Sequence, residues 1–152
     1  MKPWIVLILS LAAFWAKATP AQTNSSATNR VFIIQRSITA VSGGKATLII
    51  GPLHRTTNVY EGDYQMKVSP YFFKNEKGRL SIVVSDESLK KIGTGKVAEI
   101  TGTATTNGKG GKSRRIDATA TPSDKASGTL KLWFISEDRK MTFNTSYRFG
   151  DK

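Results

Sequence analysis

The sequence predicts an all-β fold: a single small antiparallel β-barrel or sandwich of about eight strands with one short helix over residues 86–92. Three observations carry that expectation. Short runs rich in β-branched and aromatic residues, several alternating apolar and polar with period two, recur from residue 30 to the C-terminus. Clusters of Gly, Asn, Ser, Asp and Pro separate these runs at hairpin spacing, and one segment alone carries both a helix start and a helix stop. Sequential hairpins of this kind favour an antiparallel sheet over a parallel α/β fold, whose strands would alternate with longer helices.

The elements can be justified in order. Arg30 to Ile38 is a short β-branched segment, Ser42-Gly43-Gly44-Lys45 turns the chain, and Ala46 to Leu53 returns it as a hairpin. Tyr64 to Phe73 alternates, with Tyr64, Met66, Val68, Pro70 and Phe72 on one side and Gln65, Lys67, Ser69, Tyr71 and Phe73 on the other. Pro70 has no N–H to give a ladder, which predicts a strand edge or bulge at that point. Asn75-Glu76-Lys77-Gly78 reads as a turn, and Arg79 to Val84 returns with Leu80, Ile82 and Val84 on one face.

The helix signature follows at once. A capping Ser85 or Asp86 precedes an acidic first turn, Lys90 and Lys91 sit near the end, and Gly93 supplies the stop. Leu89 and Ile92, three apart, predict an apolar edge that plugs onto a sheet or barrel end. Lys96 to Thr106 then places Ala98, Ile100, Gly102 and Ala104 on one face, and Ser113 to Thr121 answers with Ile116, Ala118 and Ala120. Asn107 to Lys112 is a glycine-rich tip between them. Pro122 to Gly128 turns again, Thr129 to Ser136 is a strand, Glu137-Asp138-Arg139 reverses it, and in Lys140 to Phe149 the residues Met141, Phe143, Thr145, Tyr147 and Phe149 share a face.

Strands near 46, 64, 79, 96 and 113 with a helix between the third and fourth also reproduce the element order of a five-stranded OB-like barrel. An OB-like barrel with extra strands is therefore the alternative architecture, and its usual ligands are single-stranded nucleic acids or oligosaccharides.

The N-terminus predicts export. Lys2, the twelve-residue apolar run Trp4 to Trp15, and Ala16-Lys17-Ala18 form the charged, apolar and small-x-small regions of a signal peptide over residues 1–18. The run would span roughly 18 Å as a helix, short of a ~30 Å hydrocarbon core. Residues 19–29 (TPAQTNSSATN) lack any large apolar side chain and read as a flexible leader. Residues 30–150 then form a single β domain with no linker-like break. The expected location is outside the cytoplasm, in periplasm or medium, with no integral membrane span after signal cleavage.

Composition excludes much chemistry. The 152 residues carry 23 Lys and Arg against 11 Asp and Glu, a formal +12, with one His and no Cys. Without cysteine there is no disulfide framework, thiolate nucleophile, iron–sulfur cluster or Cys-ligated zinc. His54 stands beside Arg55 with no G-x-S-x-G nucleophile elbow, and one His cannot supply the ligands of a usual zinc centre. The carboxylate pairs Glu61/Asp63, Asp86/Glu87 and Glu137/Asp138 fall in turns or a helix first turn. Glu99 and Asp117 lie on strand faces as partners for Arg115 or Lys96. Thr106-Asn-Gly-Lys-Gly-Gly-Lys-Ser113 ends like a phosphate loop but leads into a strand rather than a helix, so it reads as a hairpin tip. No enzyme, metal or cofactor is expected.

Two surfaces suggest binding instead. Lys109, Lys112, Arg114 and Arg115 place four cations and no acid on the glycine-rich hairpin, suited to an anion contact, although charge at a hairpin tip also serves solubility and blocks edge pairing. Lys67, Tyr71 and Phe73 on one strand and Lys131 and Trp133 on another alternate basic with aromatic residues. As neighbours they would form a stacking platform. The simpler expectation is that Trp133 and Phe73 belong to the core of a two-layer or closed fold. The function read from the sequence is an exported, non-enzymatic binding protein whose partner is a polyanion (nucleic acid or anionic polysaccharide) or an envelope component. The alternative is a structural or assembly protein of the cell envelope that meets a protein partner through Tyr71, Phe73 and Trp133.

Overall fold

Every strand pairing is antiparallel, and pairing of the first strand with the last closes the chain on itself. The structure, a computed structural model, describes residues 30–136 and 139–150. The expected signal peptide, the leader and the Glu137-Asp138 part of the last reversal lie outside the described residues. The strands are β1 (Val31–Ile34), β2 (Ser37–Val41), β3 (Gly44–Ile50), β4 (Leu53–Thr56), β5 (Val59–Ser69), β6 (Glu76–Val83), β7 (Ala98–Thr106), β8 (Ser113–Pro122), β9 (Ser127–Ser136) and β10 (Arg139–Gly150), with helix α1 (Asp86–Gly93) between β6 and β7.

The hydrogen-bonded order runs β2-β3-β5-β4-β1-β10-β9-β8-β7-β6, and β5 also pairs with β6. Eight strands thus form a closed ring, β5-β6-β7-β8-β9-β10-β1-β4, and β3 and β2 extend from the same edge of β5. The two additions are continuations of ring strands. β1 passes into β2 and β3 into β4 after two residues each, and β4 takes one half of β5 while β3 takes the other. In effect the barrel is an up-and-down meander, and the predicted antiparallel barrel is what forms. The OB-like alternative fails, because every consecutive pair from β5 to β10 is a hydrogen-bonded neighbour and no Greek-key crossover exists.

Local chemistry explains the two interruptions. At Gly51-Pro52 the chain steps over β5, where Gly51 N–H donates to Asp63 O at 2.9 Å and a Cβ on Gly62 would lie 2.7 Å from the Leu53 side chain. Only glycine allows that approach. Between β1 and β2, Gln35 N–H donates to Ser146 O at 2.9 Å, Thr145 Oγ1 to Gln35 O at 2.7 Å and Ser37 Oγ to Asn144 O at 2.7 Å, so hydroxyls hold the bend onto β10.

The inward face of nearly every strand is the predicted one. Leu80, Ile82 and Val84, Ala98, Ile100 and Ala104, Ile116, Ala118 and Ala120, and Leu130, Leu132 and Phe134 are all buried. Small residues on β7 and β8 leave room for rings from across the interior. Phe32, Tyr60, Tyr147 and Phe149 cluster towards one end, with Phe32 and Phe149 stacked at 4.7 Å, and Tyr64 meets Phe134 at 5.7 Å nearer the other. The interior is filled with side chains, as expected of an eight-stranded barrel.

Helix α1 closes the first of these ends. Of the two capping candidates Ser85 is the N-cap, its Oγ accepting from Ser88 N–H at 3.1 Å, while Ile92 is buried and Leu89 packs against the core. The Arg55 side chain, 5 % exposed, reaches from β4 to Asp86 at 2.6 Å and ties the barrel wall to the helix N-terminus, where a carboxylate is favoured.

Two expectations about β5 need correction. The strand starts earlier, at Val59, and forms a hairpin with β4 that the sequence reading did not resolve. It stops at Ser69, so Pro70 and Phe72 leave the inward face, and Phe72–Lys74 makes a 3-10 turn in place of continued strand. Asn75 Oδ1 accepts from Val68 N–H at 2.7 Å across this turn, and the next strand begins at Glu76 rather than Arg79.

Candidate functional site

The barrel end opposite α1 is open. Among the described residues it is formed by the end of β2, the start of β3, the end of β5 with its 3-10 turn, the tip joining β7 to β8, and the start of β10. A cup of about 360 Å³ lies in this mouth. Val41, Met66, Val68, Tyr71 and Met141 give it an apolar floor and wall, and Lys74, Lys112, Arg114 and Arg139 stand around it with Glu76 as the lining carboxylate. Phe73 borders the rim.

Strand parity places the polar floor group. On β6, Glu76 shares the inward face with Leu80 and Ile82, and on β8, Arg114 shares it with Ile116 and Ala118. Arg114 Nη2 lies 2.7 Å from Glu76 Oε2 and Nε lies 3.1 Å from Oε1, a two-point charge-assisted pair. Tyr64 Oη donates to Glu76 Oε1 at 3.3 Å from below. The hydrogen bond that Arg114 donates to Glu76 raises the Arg114 pKa above its ordinary value and outweighs the desolvation that opposes it. Burial first, and Glu76 second, push the Tyr64 phenol well above the usual range, so it stays a neutral donor.

The rim is built by the 3-10 turn. Tyr71 points into the mouth and packs against the core, near Gly43, whose φ of 73° permits the tight β2–β3 turn beneath it. Lys74 Nζ sits 5.1 Å from the centre of the Tyr71 ring and 5.8 Å from that of Phe73. Lys112 N–H donates to Thr106 Oγ1 at 2.7 Å, so the glycine-rich tip is fastened at its base. Among the described residues, no carboxylate lies within ion-pair distance of Lys74, Lys109 or Lys112.

Of the residues singled out by sequence, Lys112, Arg114, Tyr71 and Phe73 converge at this mouth, and Lys109 is exposed on the adjoining tip. The rest go elsewhere. Arg115 faces the outer wall and pairs with Asp117 at 2.9 Å on its own strand, while Glu99 accepts from Thr119 Oγ1. Lys67 is exposed on the outer face of β5 opposite Thr47. Lys131 and Trp133 lie on the outer wall of β9, with Lys131 5.4 Å and Lys140 4.8 Å from the Trp133 ring centre.

Two corrections follow. Trp133 and Phe73 are not core: Trp133 is part-exposed on the wall, and Phe73 is 81 % exposed at the rim. The described residues form one layer of strands, and among them no second sheet covers the outer face. Nor do β5 and β9 form a common aromatic platform, because β5 pairs with β3, β4 and β6 whereas β9 pairs with β8 and β10. The sequence reading missed Lys74, Glu76, Arg139 and Met141. For Glu76 the signal was present: it keeps the period of Leu80 and Ile82.

His54 lies on the exposed face of β4 opposite Glu61, away from the mouth. No group of three or more His, Asp or Glu side chains among the described residues is placed to hold a metal ion. Compared with protein-family models, with curated proteins and with solved structures, the chain finds no match in any of the three.

Proposed function

We propose that this chain is an exported, non-enzymatic binding protein that takes an anionic partner of the cell envelope or its surroundings at the open barrel mouth. The observation that carries the reading is the convergence of Lys74, Lys112, Arg114 and Arg139 around one cup in which Glu76 is the one lining carboxylate among the described residues. Because Arg114 is bound at two points by Glu76, it serves the floor, and the lysines of the turn and tip carry the net field that an anion meets. Tyr71 and Phe73 beside those lysines offer ring faces for stacking. The outer wall of β7 and β8 carries Glu99, Thr101, Thr103, Arg115 and Thr119 and meets water, the inverse of a lipid-facing barrel. No helix among the described residues is long and apolar enough to cross a membrane.

The test is binding of the purified protein to heparin and to single-stranded DNA across a salt series. Contacts to a charged polymer release counterions, so affinity falls steeply with salt. K109S/K112S, which leaves the Glu76 pair intact, is expected to reduce the magnitude of the slope on single-stranded DNA by roughly 1.4. Unchanged affinity and slope in that variant would remove the mouth from the reading.

A further inference from the structure

Phe72 and Phe73 are the most exposed large apolar side chains among the described residues, at 68 % and 81 %. They are adjacent in sequence, and the backbone that presents them is held on both sides. Lys74 N–H donates to Tyr71 O at 2.9 Å, Asn75 N–H to Phe72 O at 3.0 Å, and the Asn75 side chain locks back onto Val68. Tyr71 is turned inward as the anchor while the two following rings are turned out. A fixed turn that holds two rings in water is a built feature, since exposed pairs of this kind mark interaction sites.

The surroundings identify the partner. Lys74 follows the rings directly, Lys112 lines the same mouth, and Lys109 rides on the adjoining tip, whose Asn107 N–H donates to Lys77 O at 2.9 Å and fastens the tip to the start of β6. Apolar rings projecting between lysines at one end of a polar barrel match the depth profile of an anionic bilayer: headgroup phosphates for the cations, the acyl boundary for the rings. We infer that the protein docks peripherally on anionic lipid surfaces, inserting Phe72 and Phe73 and laying Lys74, Lys109 and Lys112 against the headgroups. This rests on the reading of the mouth as an anion site and names its partner as a lipid surface rather than a soluble polymer.

The experiment is co-sedimentation with vesicles of phosphatidylcholine alone and of an equal mixture with phosphatidylglycerol. The closed barrel lies wholly within residues 30–150, so protein lacking residues 1–18 is used, which removes the apolar N-terminal run as a competing anchor. Binding is expected to the mixed vesicles and to weaken with salt. F72S, which spares the Phe73 ring at the cup, is expected to lower vesicle affinity by roughly tenfold while leaving heparin affinity and the urea midpoint unchanged, and F72S/F73S to lower vesicle affinity by roughly tenfold per ring. K109S/K112S should lower both vesicle and heparin binding. Vesicle binding indifferent to F72S/F73S overturns the inference, as does heparin binding with no vesicle binding, an outcome that leaves the anion site standing. Self-association abolished by F72S/F73S without vesicle binding overturns it in favour of a second copy.

Discussion

Arg114 on β8 reaches Glu76 on β6 across the intervening strand β7. The ladder partner of Arg114 is Ala104, whose own partner on β6 is Leu80, so the guanidinium runs along the barrel towards the mouth to a carboxylate four residues before Leu80. The pair, with 20 % and 14 % of its side chains exposed, is shielded enough to be short and two-pointed yet open enough to border the mouth. It forms the polar lid on an apolar interior.

Removing one partner should therefore cost more than removing both. Arg114→Met leaves the Glu76 carboxylate facing the core with only Tyr64 as donor and is expected to destabilise by about 2 kcal/mol. Glu76→Gln with Arg114→Met should recover a good part of that loss. Urea midpoints on the two single variants and the double give the coupling directly, and simple additivity would show that the two groups act independently.

Parity along β9 makes a second, sharper contrast. Phe134 points inward against Tyr64 and Phe143, while its neighbour Trp133 lies on the outer wall between lysines. Phe134→Ala should cost ~3–5 kcal/mol, as large core truncations do, and Trp133→Ala less than about 1 kcal/mol. Equal losses at the two positions would contradict the single-layer wall.

These contrasts show what the sequence made legible. Period-two alternation identified the inward residues of β6 through β10, because in a one-layer barrel each strand buries one face and wets the other, and the capping and stop residues identified the short helix. It could not tell that the outer face stays uncovered, since a half-exposed Trp133 reads the same as a buried one. The mouth was half visible. Lys112 and Arg114 stood out as a charge cluster, but Lys74 and Arg139 join them only through closure of the ring, which no local pattern encodes. The β4–β5 hairpin was hidden for a different reason: its turn, Thr57-Asn58, lacks the glycine that usually marks one.

Thr57 adopts φ 59°, the left-handed region that β-branched residues avoid. The hairpin register, Thr56 opposite Val59, imposes it. Thr57→Gly should relieve that strain and stabilise the protein by about 1 kcal/mol, less the extra freedom glycine gives the unfolded chain. A fall in the thermal midpoint would show that the turn relaxes without cost in the native protein.

Buried phenols are expected to set the alkaline limit of the fold. Tyr60 and Tyr147 have hydroxyls with no hydrogen-bond partner among the described residues, and Tyr64 donates to Glu76. Burial is the largest cause that raises all three pKa values, and for Tyr60 it outweighs the opposing pull of Arg55. A phenol whose folded pKa lies above its unfolded value of about 10 contributes stability that is complete below pH 10 and is lost as pH rises towards the folded pKa. The unfolded chain ionises first, so each tyrosine drains about 1.4 kcal/mol per pH unit above that point. Denaturant unfolding followed from about pH 8 to 12 should show a plateau and then a steep decline. In Y60F/Y147F the decline should be shallower, and neutral-pH stability should hold or rise, because the hydroxyls removed satisfied no partner. Stability that falls equally in the parent and in Y60F/Y147F would assign the alkaline limit to other groups.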